Sequence, residues 1–431
     1  MKDLLMEDQM AASGSRAVTN TFVRPGERIP AVIYEPEQKG DLAHIAVLVM
    51  HSDEDYLSFS AGEELASRGF TCMCANVSKK NGDLDRKIQD VSCCVNFLKG
   101  SPGIQKILLL GHSGGGTLMS AYQSIAENGP SIYQHDGMLK KCPDTLEGLA
   151  KADGMLLLDS NWGNGAMRLF SLDPAITDEN DSHVIDPEKD LFNPENGFKK
   201  GGSTYSSAFT ARFFKGQHER NLRLNEYVAS RIQALDEGTG SFDDDEPLTI
   251  AGSEQGFFNN KLYAQDIRFM SHTRAPRLLL HADGIDTEEI IYSLRGPEND
   301  ISYTQSFNEG ALITTVRTYL SSFAIRTEAD YHFDESTVYG IDWDSNYNCT
   351  TGNIRFVTVP LLVMGMTGGW EFASAETIFE NAGSDDKTLA YVEGADHFFR
   401  PCHHLEKNPG QFGDTLTRTY DFISEWIQAR F

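Results

Sequence analysis

The chain has 431 residues, with 37 Lys and Arg against 63 Asp and Glu, for a formal net charge of −26. That excess of negative charge repels nucleic-acid phosphates and anionic membrane surfaces, so neither is expected as a partner. The length exceeds that of a usual single compact domain and predicts a main domain with an insertion or a second domain.

The cysteines Cys72, Cys74, Cys93, Cys94, Cys142, Cys349 and Cys402 are too few and too irregular for a disulfide framework, and none has metal-ligand spacing. They read as small buried hydrophobes of a reducing, cytoplasmic setting. Met1 to Asp8 lacks a basic stretch followed by an apolar one, so no secretion signal is expected, and no apolar run approaches a membrane span.

Residues 1–18 are polar and small and read as a mobile lead-in. Thr21-Phe22-Val23 and Pro30-Ala31-Val32-Ile33-Tyr34 alternate across Pro25-Gly26, which predicts an antiparallel hairpin. The run His44 to Met50 predicts a central strand. A helix over Ser58–Arg68, a strand over Phe70–Val77 and a helix over Leu84–Leu98 follow, the last with Leu84, Ile88, Val91, Val95 and Leu98 on one stripe. A strand ahead of Ser113, a helix from Thr117 and a strand over Gly154–Leu158 continue the rhythm. Such alternation implies a mostly parallel sheet with helices on both faces and ligands beyond the carboxyl ends of the strands.

After Asp159 the sequence turns polar and aromatic, with helices predicted over Tyr205–Leu235, Glu254–Met270 and Glu309–Ile325. The acidic clusters Asp178–Asp181 and Asp243–Glu246 read as solvated faces. A structureless loop of this length would not suit a compact protein, so residues 161–353 are predicted as a mainly helical cap inserted into a core of residues 19–160 and 354–431. Strands resume over Val357–Met364 and Thr388–Val392, and an amphipathic helix over Thr415–Ala429 closes the chain.

The most informative run is Lys106-Ile107-Leu108-Leu109-Leu110-Gly111-His112-Ser113-Gly114-Gly115-Gly116, a buried strand leading through Gly-x-Ser-x-Gly into a helix. A serine at such a turn is held strained and exposed, with glycines removing the Cβ atoms that would collide there, which makes Ser113 the candidate nucleophile. Serine needs a base. His397, in Gly394-Ala395-Asp396-His397 after the last strand, falls at the same sheet edge; His403 and His404 are alternatives further from the strand end.

Gly111-His112-Ser113-Gly114-Gly115 resembles the nucleophile elbow of the α/β-hydrolase superfamily, and Glu393-Gly394-Ala395-Asp396-His397 resembles its histidine loop. The likeness covers about residues 20–165 and 354–431, and is greatest to capped members with a long helical insertion after the sixth strand. It implies an α/β-hydrolase fold and a triad acid after the sixth or seventh strand. After the seventh, in Met364-Gly365-Met366-Thr367-Gly368-Gly369-Trp370-Glu371, the usual acid position holds glycine. Asp159, at the end of the sixth strand, or Glu371, a few residues beyond the usual point, is left to serve. Asp159 is preferred because a strand end fixes a carboxylate better than a loop; Glu376, at a helix start, is third.

The resemblance further implies an oxyanion hole from the N–H of Gly114 and that of Asp53 or Ser52, in a turn where the family often has His-Gly. The carboxylates of Asp53, Glu54 and Asp55 read as outward-pointing. Tyr56, His112, Trp162, Trp343, Trp370 and Phe398 are candidates to line a substrate pocket, Tyr56 as a donor to a substrate oxygen, with core packing the competing role of the aromatics. The expected function is hydrolysis of an ester, lactone, thioester or amide of a small, largely apolar molecule, without metal or organic cofactor. Carbon–carbon bond hydrolysis and a non-catalytic ligand-binding receptor are the alternatives, and homo-oligomerisation stays open.

Overall fold

The computed structural model describes residues 16–256, 260–298, 304 and 306–431. Most of the expected lead-in, and part of the helix expected over Glu254–Met270, lie outside the described residues. β1 (Val18–Gly26) and β2 (Ile29–Pro36) form the antiparallel hairpin. β3 (Ile45–Met50), α1 (Ala61–Ser67), β4 (Thr71–Ala75), α2 (Leu84–Gly100), β5 (Lys106–His112), α3 (Gly115–Asn128) and β6 (Gly154–Leu158) then alternate as expected.

An insertion follows, and β13 (Leu361–Met366), α9 (Phe372–Asn381), β14 (Lys387–Val392) and α10 (Thr415–Gln428) complete the core. From β4 the strands lie side by side in the order β4-β3-β5-β6-β13-β14, all parallel, with the hairpin antiparallel at the edge beyond β4.

The central strands are continuously apolar because both faces of the sheet are covered. Along β3, Ala46, Leu48 and Met50 join one core with α2 and α3, while Ile45, Val47 and Val49 join the other with α1 and α10. A one-residue slip would exchange the two sets.

The insertion departs from the expected mainly helical cap. It holds α4 (Asn164–Ser171), the long α5 (Ser207–Asp236), β7 (Pro247–Ile250), α6 (Leu262–Gln265), β8 (Arg277–Leu280), β9 (Thr287–Glu289), β10 (Leu312–Thr315), α7 (Val316–Ser322), β11 (Arg326–Phe333), β12 (Val338–Asp342) and α8 (Thr350–Asn353). β8 pairs parallel with β14 and β9 pairs with β8, so the insertion returns to extend the main sheet to ten strands. Its own apolar cluster, Leu224, Val228, Leu312, Val316 and Tyr319 among others, joins α5 and α7 to the β7–β10 pair. The helix expected over Glu309–Ile325 is thus split into β10 and α7.

The acidic clusters are also not simply solvated. Glu179 accepts two hydrogen bonds of 2.7 Å from the fully buried Arg220, and Glu246 is held by Arg231. Each is a paired carboxylate that satisfies a cation of α5.

β8 is fastened to α9 through Glu376, which is buried and accepts from Arg277 Nε at 2.7 Å and from the Arg274 N–H at 2.7 Å. Glu376 is thereby committed to the sheet edge and is removed as a triad candidate. Arg277→Ala should leave that carboxylate on the Arg274 and Ala275 N–H groups without its charged donor and lower stability by about 2 kcal/mol. The expected reading is a lower denaturation midpoint at unchanged slope.

Candidate active site

At the end of β5 the chain turns sharply, and Ser113 takes φ 54°, a left-handed conformation that costs a non-glycine residue roughly 1–3 kcal/mol. The glycines around it have no room for a side chain. A Cβ on Gly111 would lie 2.7 Å from the Gly115 carbonyl oxygen, one on Gly115 2.5 Å from that of Met50, and one on Gly116 2.7 Å from Ser160 Cβ. The serine is presented at the start of α3 while the turn packs against β3 and the end of β6.

Asp159 follows β6 directly, has no exposed surface and also takes a positive φ, 40°. Its Oδ2 accepts from His397 Nδ1 at 2.7 Å and its Oδ1 accepts from the Met366 N–H at 3.1 Å. With Nδ1 turned to Asp159, the second ring nitrogen, Nε2, is the one left for a serine proton. Glu371 also reaches this ring: its Oε2 lies 3.3 Å from Nδ1, buried and without a hydrogen-bond partner among the described residues. The proton on Nδ1 goes to Asp159, and Glu371 contributes charge.

One of the glycines in the run after β13, Gly369, has a physical reason. A Cβ on Gly369 would lie 2.6 Å from Asp159 Oδ2. The Asp159 carboxylate fills the volume that a side chain after β13 would take.

Burial works against a charged His397, but the charge of Glu371 and the hydrogen bond and charge of Asp159 outweigh it, and its pKa is pushed up to about 9. Burial, helped by the nearby Asp159 charge, pushes the Glu371 carboxyl up to about 7 against the opposing pull of His397 and Lys261. Asp159 is likewise raised by burial, opposed by its bond to His397. The donor atoms of Asp159, Glu371 and His397 lie within 4.8 Å of one another, spacing that also suits a cation; the 2.7 Å contact of Nδ1 with Asp159 is accounted for by the shared proton.

Two residues expected in the pocket instead hold the histidine loop. His112, fully buried, donates from Nε2 to the His397 carbonyl oxygen at 2.7 Å. Since a carbonyl only accepts, His112 Nδ1 is the acceptor for the Tyr56 hydroxyl at 2.6 Å. Burial keeps His112 neutral by pulling its pKa well down. The Tyr56 hydroxyl is therefore engaged by His112, which corrects its assignment as a substrate donor. The sequence signal for this relay was the histidine in the second position of Gly-x-Ser-x-Gly.

The turn after β3 also differs from expectation. The Asp53 N–H donates to His51 Nδ1 at 3.0 Å, so it is not free to face an oxyanion. Its carboxylate, expected to point outward, accepts from the buried Lys87 Nζ at 2.8 Å. Ser52 lies against the elbow, its Oγ 2.9 Å from where a Cβ on Gly114 would stand. Among the described residues, neither the Ser52 nor the Gly114 N–H donates to a protein acceptor.

Of the remaining aromatics, Phe398 is exposed with its ring centroid 5.2 Å from that of His397. Trp370 adjoins Glu371 and packs with Tyr263 and under Arg295, tying this rim to the insertion. Trp162 is fully buried edge-on to Phe170 at 5.3 Å. Trp343 lies beside Gly352 and packs against the main core. His403 and His404 are exposed on a short 3-10 turn, with His403 on Glu406.

Sheet, elbow and histidine loop together give this chain the α/β-hydrolase fold. No family model and no curated protein matches it. Among solved structures it is similar to a hypothetical protein from Pseudomonas aeruginosa, at 12% identity and TM-score 0.43 over 99% of this chain and 100% of that one. It is also similar to the α/β-hydrolase GrgF from a Penicillium species, at 12% identity and TM-score 0.39 over 96% and 99%. For esterase B from Lactobacillus rhamnosis the values are 12%, 0.38, 98% and 90%.

Because the Gly369 position and the Asp159 carboxylate compete for one volume, Gly369→Ala should displace the acid and, with it, His397. The deshielded Nδ1–H resonance of His397 is expected to weaken or disappear, with far-ultraviolet dichroism unchanged.

Proposed function

We propose that this protein is a serine hydrolase that cleaves an ester, lactone, thioester or amide of a small, largely apolar molecule through an acyl-enzyme on Ser113. The observation that carries the reading is the 2.7 Å bond from His397 Nδ1 to the buried Asp159, at the sheet edge where Ser113 stands in its left-handed turn. Asp159 fixes the tautomer that leaves Nε2 as the base and balances the imidazolium that forms.

In the proposed reaction Ser113 Oγ attacks the substrate carbonyl carbon as His397 Nε2 takes its proton. The carbonyl π bond opens onto oxygen, and that oxyanion is met by the N–H groups of Gly114 and Ser52. Collapse of the tetrahedral species expels the leaving group, which takes the proton from His397. Water, deprotonated by the same nitrogen, then releases the acid and restores Ser113.

A fluorophosphonate tests the reading: one phosphonyl adduct on the wild-type protein, lost in Ser113→Ala, is expected. Absence of labelling on folded wild-type protein would favour a ligand-binding receptor of the same fold.

The two carboxylates also set a pH dependence. Neutral His397 is the reactive form, so kcat/KM should rise with pH toward a limit set by its pKa of about 9. Removing the negative charge of Glu371 destabilises the imidazolium, so Glu371→Gln should move that limb to lower pH and leave the enzyme active. Asp159→Asn should lower kcat by on the order of 10⁴-fold. The reverse ranking would make Glu371 the acid.

A further inference from the structure

His51, the first residue after β3, was not among the expected site residues, yet its ring is oriented as closely as any in the site. It is buried and stacked on Tyr56 at 4.8 Å between ring centroids. Its Nδ1 accepts from the Asp53 N–H at 3.0 Å and from the Glu54 N–H at 2.9 Å. Two donors on one nitrogen fix the tautomer: the ring proton is on Nε2.

The Nε2 edge faces the elbow. A Cβ on Gly114, the residue after Ser113, would lie 3.0 Å from His51 Nε2 and 3.1 Å from Cε1. Gly114 is therefore required to be glycine in part by this ring. Among the described residues Nε2 has no hydrogen-bond acceptor.

We propose that His51 Nε2–H is a third donor to the substrate oxyanion, beside the N–H groups of Gly114 and Ser52. The proposal rests on the serine-hydrolase reading and adds a side-chain donor to it. Burial lowers the His51 pKa most, Asp53 opposes, and the charge of His397 adds to the lowering, with a net value of about 4. The ring is thus neutral at neutral pH, and donates without placing a second full cation beside His397. Its donation also explains the use of Asp53: the turn commits the Asp53 N–H to holding Nδ1, and recovers a donor at Nε2.

Two substitutions separate donation from support of the turn. In His51→Asn the side-chain amide oxygen can replace Nδ1 as acceptor for the Asp53 and Glu54 N–H groups, so this variant keeps the turn and lacks the donor. His51→Gln reaches the Nε2 position with an amide N–H and lacks the Nδ1 acceptor. The probe is an alkyl fluorophosphonate, whose phosphoryl oxygen takes the oxyanion position, with the labelling rate of Ser113 read by intact-protein mass spectrometry and thermal midpoints measured alongside.

His51→Asn should label roughly 10²-fold more slowly than wild type, with His51→Gln between them. On p-nitrophenyl acetate the loss should fall on kcat and spare KM. A His51→Asn rate equal to wild type would overturn the donor role while wild-type labelling upheld the hydrolase reading. Wild-type protein inert to the probe would overturn both.

Discussion

The site depends on one hydrogen bond between a carboxylate with no exposed surface and an imidazole 238 positions further along the chain, Asp159 to His397. Hydrogen bonds to its oxygens offset the cost of burying a carboxylate, and both Asp159 oxygens are bonded: Oδ2 by the ring, Oδ1 by the Met366 N–H at the end of β13. Those bonds pin three strand ends to one another, since Asp159 follows β6, Met366 closes β13 and His397 follows β14. It also dictates what cannot be present, because the volume of a side chain at Gly369 is occupied by the carboxylate. The acid on β6 and the glycine after β13 are two halves of one packing solution.

A second carboxylate at the same ring changes its chemistry. Two negative groups around one imidazole stabilise the imidazolium, which raises its basicity and limits the neutral fraction of the ring at pH 7. Glu371 answers this partly by its own burial, which favours its protonated form near neutrality. Lys261, buried in the insertion, feels the same charge, so the insertion contributes to the electrostatics of the core. The basicity of the ring and the state of Glu371 are one coupled property.

The sheet rhythm was legible, and so was the placement of Ser113 at a left-handed turn and of His397 beside Asp159 and Glu371, because each sits where local sequence sets geometry: a strand end, a glycine turn, a loop after a terminal strand. The return of β8 to the sheet was not, since a four-residue strand in a polar, aromatic segment gives too little periodicity, although Leu278-Leu279-Leu280 after Pro276 carried the signal. The roles of Tyr56, His112 and His51 were hidden for a different reason. They follow from which ring nitrogen accepts, and that is decided by partners far along the chain or by the backbone of a turn. Asp53 was misplaced on the same ground, its N–H being consumed by the residue two before it.

The bond between Asp159 and His397 can be observed without a substrate. Proton NMR of the His397 Nδ1–H, with selectively ¹⁵N-labelled histidine, should give a strongly deshielded resonance in wild-type protein. It should persist in Glu371→Gln with a lower titration midpoint, and be lost or shifted far upfield in Asp159→Asn. A deshielded resonance that survived Asp159→Asn and disappeared in Glu371→Gln would contradict the assignment of Asp159 as the group on which the site is built.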